Sequence, residues 1–360
     1  MTTPTALVHS VQKLRRGLAH LHRHLQPSEY TLLELVTAKW RSSALEAIAR
    51  LGVADELYQG ERDAYELAAQ LGLHGEALFR VLRALASDGL LRRQGNRFAL
   101  NAITRPLAAL APNSMRNAVL SAGSAHNRSL WANIELGVKS GTPVFDELHG
   151  ESFWEHLAKH PEVAEEFDAS MAEYTREAAG LLAASYDFGR FETLVDLGGG
   201  AGELLATILA AYPKLKGIDL DLPHALRRAP DTFRRLGVEA RAQVVAGSVF
   251  DAIPAGHDAY LLKNVLHEML DDAAHDALCK IRRAMRRGGR LFIVENVVPE
   301  EKGPYLQFLD LVMLLGSGGK ERTRTEFAEL LASAGFAIER VIENASPMSL
   351  IVARAVEPTP

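Results

Sequence analysis

From about residue 191 to residue 356, the chain alternates short apolar runs with amphipathic segments. Five runs rich in Val, Leu and Ile predict strands, and the segments between them carry apolar residues at the three- and four-residue spacing of helices. This alternation is typical of an open, mostly parallel sheet with helices on both faces. The predicted strands are Thr193–Leu197, Lys216–Leu220, Ala242–Ala246, Ala259–Lys263 and Arg290–Glu295, and the predicted helices are Gly202–Tyr212, His224–Leu236, Asp271–Met285 and Thr325–Ala334.

The last two apolar runs follow a different pattern. Phe336–Ile342 and Met348–Ala355 are separated only by the short polar segment ENASP. Parallel strands need a crossover connection of about a dozen residues or more, which this segment cannot provide. The two runs therefore predict an antiparallel hairpin at the end of the sheet.

Apolar residues at helical spacing also mark the first third of the chain. Residues 63–100 predict a helix, a tight turn at Gly72–His74, a second helix and a short hairpin across Gly95–Asn96, which is the pattern of a winged helix-turn-helix. Residues 31–57 carry more apolar helix surface than one small domain can cover, so we expect a homodimer. The apolar positions of that stretch are Leu32, Leu35, Val36, Leu45 and Ile48.

The segment Met1–Gln26 has no acidic residue and predicts a basic amphipathic helix. It lacks the apolar block of a secretory signal peptide. This favours an arm, or a helix that docks on a partner subunit, and leaves a targeting segment as an alternative. The predicted organisation is an arm (1–29), a winged-helix dimerisation domain (30–110), a helical linking region with one long helix near 161–185 (111–190), and an α/β domain (191–356).

Composition narrows the class of protein. The 360-residue chain has a formal net charge of −5, which disfavours a globally basic nucleic-acid binder. Its single cysteine, Cys279, excludes an internal disulfide and offers no cysteine spacing for zinc. No apolar run approaches the roughly 18 residues of a membrane helix. We therefore expect a cytoplasmic protein without membrane or nucleic-acid partners.

A glycine cluster in the sequence LVDLGGGAGELLATIL joins the first strand of the α/β domain to its first helix. Gly198, Gly200 and Gly202 allow a ligand to approach the backbone closely. The third glycine of the dinucleotide fingerprint is replaced by Glu203, and we expect this carboxylate to repel a pyrophosphate from the helix N-terminus. The turn therefore predicts a ligand with a cationic or neutral centre, and a turn without any ligand is the weaker alternative.

Asp221 follows Gly200 by 21 positions, at the carboxyl end of the second predicted strand. An acid at that position accepts hydrogen bonds from ribose hydroxyls. Together with the glycine cluster, Asp221 predicts an S-adenosylmethionine site, because the sulfonium of that cofactor is positively charged.

His267 is the candidate catalytic residue, since it lies just after the fourth predicted strand, where open α/β sheets bind ligands. Glu295 ends the neighbouring strand, and a carboxylate on one imidazole nitrogen fixes the tautomer and leaves the other nitrogen as a base. The metal motif H-E-x-x-H is absent, because Asp271 stands at its last position. We therefore expect no metal.

At these residues the chain resembles the S-adenosylmethionine-dependent O-methyltransferases of plant phenolic and bacterial polyketide or phenazine metabolism. The resemblance runs from about Tyr30 to Ala355 and includes an N-terminal winged-helix dimerisation domain. It implies an α/β fold, with a C-terminal Rossmann-like methyltransferase sheet ending in the antiparallel hairpin. The segments that carry it are LVDLGGGAG, DLDLPHA, LLKNVLHEM, GGRLFIVE and GGKERTRTEF.

The resemblance also implies roles for individual residues. His267 matches the general base, and Glu295 and Glu321 match the two carboxylates that orient it. Glu268 matches the acidic neighbour of the base, in contact with substrate or cofactor. The implied cofactor contacts are Gly198, Gly200, Asp221, Ser248, Val249, Lys263, Met171 and Thr175. The implied lining of the aromatic acceptor pocket is Phe167, in the 111–190 region, with Met313 and Gly316 from nearer the C-terminus.

Two positions depart from the family pattern. Ser248 stands where the family often places an acid that holds the adenine amine, so we expect weaker or rearranged adenine recognition. Met269 stands where plant members carry an aromatic residue. Neither position is the base, so methyl transfer stays the expected reaction.

The expected reaction is in-line displacement at the methyl group after His267 takes a proton from the acceptor. Full proton transfer from a phenol (pKa about 10) to a free imidazole (pKa about 6.5) costs about 5 kcal/mol, and flanking carboxylates reduce this cost. A phenol is therefore favoured over an aliphatic alcohol. N-methylation, and non-methylating chemistry such as decarboxylation or hydroxylation, stay as alternatives.

A DNA-binding regulator is the alternative from another class, because of the winged-helix pattern. The segment that would enter the groove carries only Arg80 and Arg83 as bases, against Glu76 and Asp88. Phosphate binding normally requires a basic face, so this alternative is disfavoured.

Overall fold

Twelve strands are present in the computed structural model, which describes residues 5–299, 304–343 and 347–356. They are β1 (Arg62–Asp63), β2 (Leu91–Gln94), β3 (Arg97–Leu100), β4 (Thr193–Leu197), β5 (Lys216–Asp221), β6 (Ala242–Ala246), β7 (Ala259–Lys263), β8 (Arg290–Glu295), β9 (Val297–Val298), β10 (Arg322–Thr323), β11 (Phe336–Ile342) and β12 (Ser349–Ala355).

Sixteen α-helices accompany them in the described part of the chain. They are α1 (Thr5–His24), α2 (Ser28–Arg50), α3 (Val53–Gln59), α4 (Ala64–Leu71), α5 (Gly75–Ser87), α6 (Arg116–Ala122), α7 (Ala125–Ala132), α8 (Ile134–Ser140), α9 (Val144–His149), α10 (Phe153–Lys159), α11 (Pro161–Ser185), α12 (Glu203–Ala211), α13 (Ala229–Arg235), α14 (Asp271–Ala284), α15 (Pro304–Leu315) and α16 (Arg324–Ser333).

A seven-stranded sheet in the order β11-β12-β8-β7-β4-β5-β6 organises the C-terminal half. Five neighbouring strands are parallel, namely β8, β7, β4, β5 and β6, whereas β12 is antiparallel to β8 and to β11. The doubly wound α/β fold and its terminal hairpin are therefore as predicted. Residues 344–346 of the connecting segment ENASP, and residues 1–4 of the predicted arm, lie outside the described residues.

Alternating residues of the central strands enter two cores. Phe292 faces one core together with α12, α13 and the end of α11, while Leu291 and Ile293 face the other core together with α14 and α16. This two-residue period buries both faces of the central strands, so apolar residues predominate on both faces. The sheet is thereby fixed between two helical layers and provides a rigid base for the loops at its edge.

Two features of this half differ from the sequence prediction. The helix expected over His224–Leu236 is instead a 3-10 turn, Ala225–Arg228, followed by α13. Pro230 lies in the first turn of α13 and has no N–H to donate, which prevents one continuous α-helix. The second difference is α15, an apolar helix in a region where we predicted no element.

The chain forms two compact units. We call residues 9–128 and 169–174 the N-terminal unit, and residues 5–8, 129–168 and the described residues from 175 onward the C-terminal unit. The domain boundaries predicted at residues 110 and 190 stay predictions. Within the N-terminal unit, α4, α5 and the antiparallel strands β1, β3 and β2 form the winged-helix pattern.

Much of α1 and α2 has an apolar face that the described chain does not cover. Ile48, near the end of α2, is 1% exposed in the N-terminal core, but Trp40 is 69% exposed. Other exposed large apolar side chains of these two helices include Leu14, Leu18, Leu21, Leu32, Leu35 and Val36. So many exposed apolar side chains on two successive helices indicate an interaction site.

The helices of the described chain include none with both the length and the apolar character needed to cross a membrane.

Candidate active site

The carboxyl ends of the parallel strands meet at one edge of the sheet. Leu197 of β4 is level with Leu220 of β5 and with Leu262 of β7, and Lys263 is level with Val294 of β8. The glycine cluster, Asp221, His267 and Glu295 follow or end these strands, so the pairing gathers them at this edge. Open α/β sheets bind ligands at this place.

The glycine cluster adopts a turn that other residues would strain. Gly198, Gly200 and Gly202 have φ angles of 78°, 60° and 71°. A Cβ on Gly198 would also come within 2.6 Å of Val265 Cγ2. Glycine is thus required both by the left-handed backbone and by the close approach of the His267 loop.

Asp221 ties this turn to the end of β5. Its Oδ2 accepts a hydrogen bond from the backbone N–H of Gly200 at 2.8 Å, and its Oδ1 accepts one from Leu222 at 2.6 Å. Burial raises the pKa of the Asp221 carboxyl, and these two N–H groups act in the opposite direction. Each carboxylate oxygen can accept a further hydrogen bond, so Asp221 can anchor the turn and bind a ligand hydroxyl together.

Glu203 does not place an uncompensated charge beside the helix N-terminus, and this part of the sequence argument is wrong. Its carboxylate is buried and accepts hydrogen bonds from Arg176 and Arg235, each at 2.7 Å. Because two guanidinium groups neutralise it, Glu203 serves to fix the start of α12 against its neighbours.

Two further acids, which the sequence analysis missed, lie beneath the glycine turn. Asp196 and Asp219 are buried in β4 and β5, and neither oxygen of Asp219 has a hydrogen-bond partner among the described protein groups. Burial raises the pKa of Asp196 to about 7 and the pKa of Asp219 well above its usual range. Burial also lowers the pKa of Lys263, at the end of β7, to about 8.

His267 lies among three carboxylates. Its Nδ1 is 2.8 Å from Glu321 Oε1 and 3.6 Å from Glu295 Oε2, and its Nε2 is 3.4 Å from Glu268 Oε1. The imidazole is 6% exposed. The structure therefore brings together the predicted base, its two predicted orienting acids and its acidic neighbour.

Glu295 fixes the backbone that carries His267. Its Oε1 accepts hydrogen bonds from the N–H groups of Val265 and Leu266 at 3.0 Å and from that of His267 at 3.4 Å. Asn264, which precedes this turn, has a φ of 52°. A non-glycine residue in that region is strained, and such strain is held where surrounding contacts over-determine the backbone.

Glu321 reaches His267 because of a short parallel ladder between β9 and β10. Arg322 pairs with Val297, two residues after Glu295, so the preceding Glu321 lies next to the end of β8. The N–H of Glu321 also donates to Asp310 Oδ1 of α15 at 2.8 Å. The helix that the sequence analysis missed therefore helps to position a predicted site residue.

Arg322 is a second residue that sequence reasoning missed. Its fully buried guanidinium donates to the carbonyls of Leu266 and Met269 and to Asp271 Oδ1, at 2.7–3.0 Å. It thereby clamps carbonyls of the turn that carries His267, whereas Glu295 holds N–H groups of the same turn. Arg322 follows Glu321 within GGKERTRTEF, so the motif contained it, but periodicity offers no way to predict a buried arginine.

The carboxylates decide the charge of the imidazole. Burial acts to lower the pKa of His267, but Glu295, Glu268 and Glu321 outweigh it and raise this pKa well above the usual value of about 6.5. Burial also raises the pKa of the Glu295 carboxyl, an effect that the charge of His267 opposes. At neutral pH the site therefore favours an imidazolium between carboxylates.

His267, Glu295 and Glu321 also have the donor types of a metal site. One donor atom each of His267, Glu295 and Glu321 lies within 4.8 Å of the others. However, Glu295 Oε1 already accepts three N–H groups, and His267 Nδ1 is held by Glu321. The arrangement is thus well suited to orienting an imidazole.

The remaining predicted residues have varied surroundings. In the loop after β6, Ser248 Oγ accepts from the N–H of Phe250, the Ser248 N–H donates to Asp251, and Val249 is buried in the core beneath the sheet. On α11, Met171 belongs to the N-terminal unit, while Thr175 belongs to the C-terminal unit and is buried.

Two predicted acceptor-pocket residues lie on α11 and α15, and the third follows α15. Phe167 makes edge contacts with Phe153 and Trp154, at ring-centroid distances of 5.1 and 6.0 Å. Met313 is buried on α15, and Gly316 follows the end of that helix. The chain from Gly316 leads directly to Glu321.

Comparison with known families gives two matches. The model described as O-methyltransferase domain matches residues 131–337, and the model described as O-methyltransferase dimerisation domain matches residues 33–109.

Individual relatives extend these matches. A phenazine O-methyltransferase of Lysobacter antibioticus is 37% identical, covering 92% of this chain and 97% of the relative. An 8-amino-8-demethylriboflavin N,N-dimethyltransferase of Streptomyces davaonensis is 36% identical, covering 82% and 86%. An O-methyltransferase from neocarzinostatin biosynthesis, solved with S-adenosylmethionine and 2-hydroxy-5-methyl naphthoic acid, matches with a TM-score of 0.74 and 32% identity, covering 88% and 96%.

We predict that Arg322→Lys destabilises the protein by about 1.5–3 kcal/mol, because a lysine cannot serve the two carbonyls and Asp271 together. Arg324→Lys is the matched control, since Arg324 is an exposed arginine of the same segment, and its effect should stay within about 0.5 kcal/mol. Urea unfolding of both variants provides the comparison. Equal unfolding free energies would contradict the clamping role of Arg322.

Proposed function

Because the chain belongs to the O-methyltransferase family of bacterial natural-product metabolism, with its dimerisation domain, it is a methyltransferase, and we propose that it methylates a hydroxyl of an aromatic small molecule. In this proposal S-adenosylmethionine is the methyl donor and His267 is the general base. The observation that carries this proposal is the buried imidazole of His267. Glu321 holds its Nδ1, which leaves Nε2, near Glu268, as the nitrogen that can accept a proton.

The glycine turn fits the cofactor that the family implies. Gly198 has no room for a Cβ, and Asp221 combines a buried carboxylate with acceptor capacity for ribose hydroxyls. The side-chain oxygen of Asn264 is buried without a described partner at this same edge. We assign cofactor binding to Gly198, Gly200, Asp221, Ser248, Val249, Lys263, Met171 and Thr175. The cofactor supplies an electrophilic methyl group on a positively charged sulfur.

The base works through Nε2. Glu321 holds Nδ1, so the acceptor hydroxyl transfers its proton to Nε2 on the side where Glu268 lies. The three carboxylates around the ring stabilise the imidazolium that forms. Because the pKa of His267 is raised, it lies closer to the pKa of a phenol. The free-energy cost of proton transfer therefore falls below the roughly 5 kcal/mol expected for a free imidazole. The proposed step uses no metal.

An aromatic acceptor suits this chemistry. A phenol has a pKa near 10, far closer to that of an imidazole than an aliphatic alcohol has. The assigned pocket residues Phe167, Met313 and Gly316, with Glu268 beside the base, combine an aromatic and apolar lining with one acid. The solved relative holds a hydroxylated naphthoic acid, and we infer an acceptor of the same general class.

A second candidate function is N-methylation. The reason to keep it is that one relative of similar identity is an N,N-dimethyltransferase. A neutral aromatic amine already carries a lone pair, so it attacks a methyl group without first losing a proton. The two functions therefore differ in how far they require His267.

We predict that Asp221→Ala lowers S-adenosylmethionine affinity about tenfold to a hundredfold, because it removes a charged acceptor worth about 1.5–3 kcal/mol. Asp221→Asn keeps one carbonyl oxygen and should lose less. Asp231→Asn, at an exposed position on α13, is the control and should bind normally. Calorimetry with each variant provides the affinities, and an unchanged affinity for Asp221→Ala would remove Asp221 from the site.

We predict that His267→Ala keeps cofactor affinity and loses about 10²–10⁴-fold in turnover of a protonated phenol. The loss should shrink as the acceptor becomes more acidic, since a phenolate needs no base. The measurement uses methyl-labelled S-adenosylmethionine, phenols of graded acidity and matched aromatic amines, with mass spectrometry of the products. A constant loss across all phenols would make His267 a positioning residue, and faster methylation of amines that is independent of His267 would favour N-methylation.

The pH dependence follows from the direction of the His267 pKa. A general base must be neutral, so with a weakly acidic phenol kcat/KM should rise with pH through a midpoint above 6.5. Glu321→Gln removes one of the carboxylates that raise this pKa, so its midpoint should move to lower pH. Two results would contradict this electrostatic account: a midpoint of the kcat/KM profile at or below pH 6.5 in the unaltered enzyme, or the same midpoint in Glu321→Gln as in the unaltered enzyme.

We also propose a homodimer, supported by the matched dimerisation domain and the exposed apolar face of α1 and α2. Sedimentation at micromolar concentration should show a dimer, and Leu35→Glu should weaken it because a charge replaces an apolar contact. Val138→Glu, an exposed position in the C-terminal unit, should leave the dimer intact. A monomeric unaltered protein would refute the proposal.

A further inference from the structure

We propose that Glu151, His156 and His160 form a binding site for a divalent transition-metal ion, away from the residues assigned to methyl transfer. The three side chains come from the loop before α10, from α10 itself and from the junction between α10 and α11. One donor atom of each lies within 4.8 Å of the other two.

The side chains already converge. His156 Nδ1 is 2.8 Å from Glu151 Oε1, and the rings of His156 and His160 are stacked with centroids 4.0 Å apart. The spacing of four residues places these two histidines on successive turns, as in helical metal sites. His149 adds a third imidazole, with its ring centroid 5.2 Å from that of His156.

The three side chains are partly exposed to solvent. The side chains of Glu151 and His156 are 18% and 13% exposed, which leaves a path for an ion from solvent.

The donor set indicates the class of metal. Two or three imidazole nitrogens with one carboxylate oxygen suit Zn²⁺, and also Co²⁺ or Ni²⁺, better than Mg²⁺ or Ca²⁺. A tetrahedral ion with ligands near 2.1 Å needs donors about 3.4 Å apart, so the 2.8 Å contact between His156 Nδ1 and Glu151 Oε1 must open when the ion binds. His149 or water would complete the coordination.

One existing contact competes with the ion. Lys159 Nζ pairs with Glu151 Oε2 and supplies a positive charge beside the carboxylate. The other oxygen, Oε1, is the one that faces His156. A bound ion therefore replaces or shares the charge of Lys159, and acid should release the ion because protons compete for the imidazoles.

The cluster is connected to the assigned acceptor pocket through aromatic rings. Phe145 stacks on His149 at 4.4 Å and makes an edge contact with Phe153 at 5.4 Å, and Phe153 contacts Phe167. We infer that the ion stiffens this wall and strengthens acceptor binding. This last consequence depends on the proposed function, whereas metal binding itself does not.

The test is calorimetric titration of the full-length, chelator-treated protein with ZnCl₂. We expect one tight site per chain, and His156→Gln should weaken it by more than the about 10–100-fold expected for a group that only orients a ligand. His160→Gln is the second ligand variant. Circular dichroism and S-adenosylmethionine affinity of both variants establish that they are folded.

Two control variants separate this site from other histidine clusters. His20→Gln disrupts the stacked His20–His24 pair of α1, whose ring centroids are 4.1 Å apart, and His267→Gln removes the catalytic imidazole. Both should keep the tight Zn²⁺ site. Absence of tight binding in the unaltered protein, or loss of it only in a control variant, would overturn the proposal. Absence of methyl transfer by the unaltered protein, with tight Zn²⁺ binding present, would count against the proposed function alone.

Discussion

The buried carboxylate of Glu295 is the constraint on which the site geometry depends. A carboxylate at the end of a central strand cannot remain without partners, because burying an uncompensated charge is costly. Glu295 obtains its partners from three consecutive N–H groups at residues 265–267, which forces that segment into a tight turn and brings the imidazole of His267 to within 3.6 Å. Arg322 holds carbonyls of the same turn, so both donors and acceptors of this backbone have charged partners.

This arrangement makes the base stronger and at the same time keeps it protonated at neutral pH. Three carboxylates around one imidazole favour the charged form. This lowers the free-energy cost of accepting a proton, but it also reduces the fraction of His267 that is neutral and able to act as a base. An acidified phenol suits such a site, because only a modest pKa gap must be crossed. The glycine turn, anchored by Asp221, lies at the same sheet edge, so the positions of base and assigned cofactor site are set by one rigid element.

Much of this could be predicted from the sequence because it depends on local patterns. The strand ends, the hairpin and the proximity of His267 to Glu295 follow from alternating periodicities and from the fact that parallel strands end together. The pairing of Glu203 with Arg176 and Arg235 could not be predicted, since its partners lie 27 and 32 residues away and depend on packing. Arg322, Asp310 and α15 were missed for the same reason. The histidine cluster at residues 149–160 was overlooked because the expectation of no metal considered only cysteines and the stretch after His267.

The central claim is that buried carboxylates tune His267 to act as the base. The most direct measurement is an NMR titration of the protein labelled at its histidine rings, with the His267 resonance assigned by its loss in His267→Gln. The account predicts that His267 titrates well above 6.5, with Nδ1 retaining its proton when the ring becomes neutral. A midpoint at or below 6.5, or a neutral ring protonated at Nε2, would contradict it.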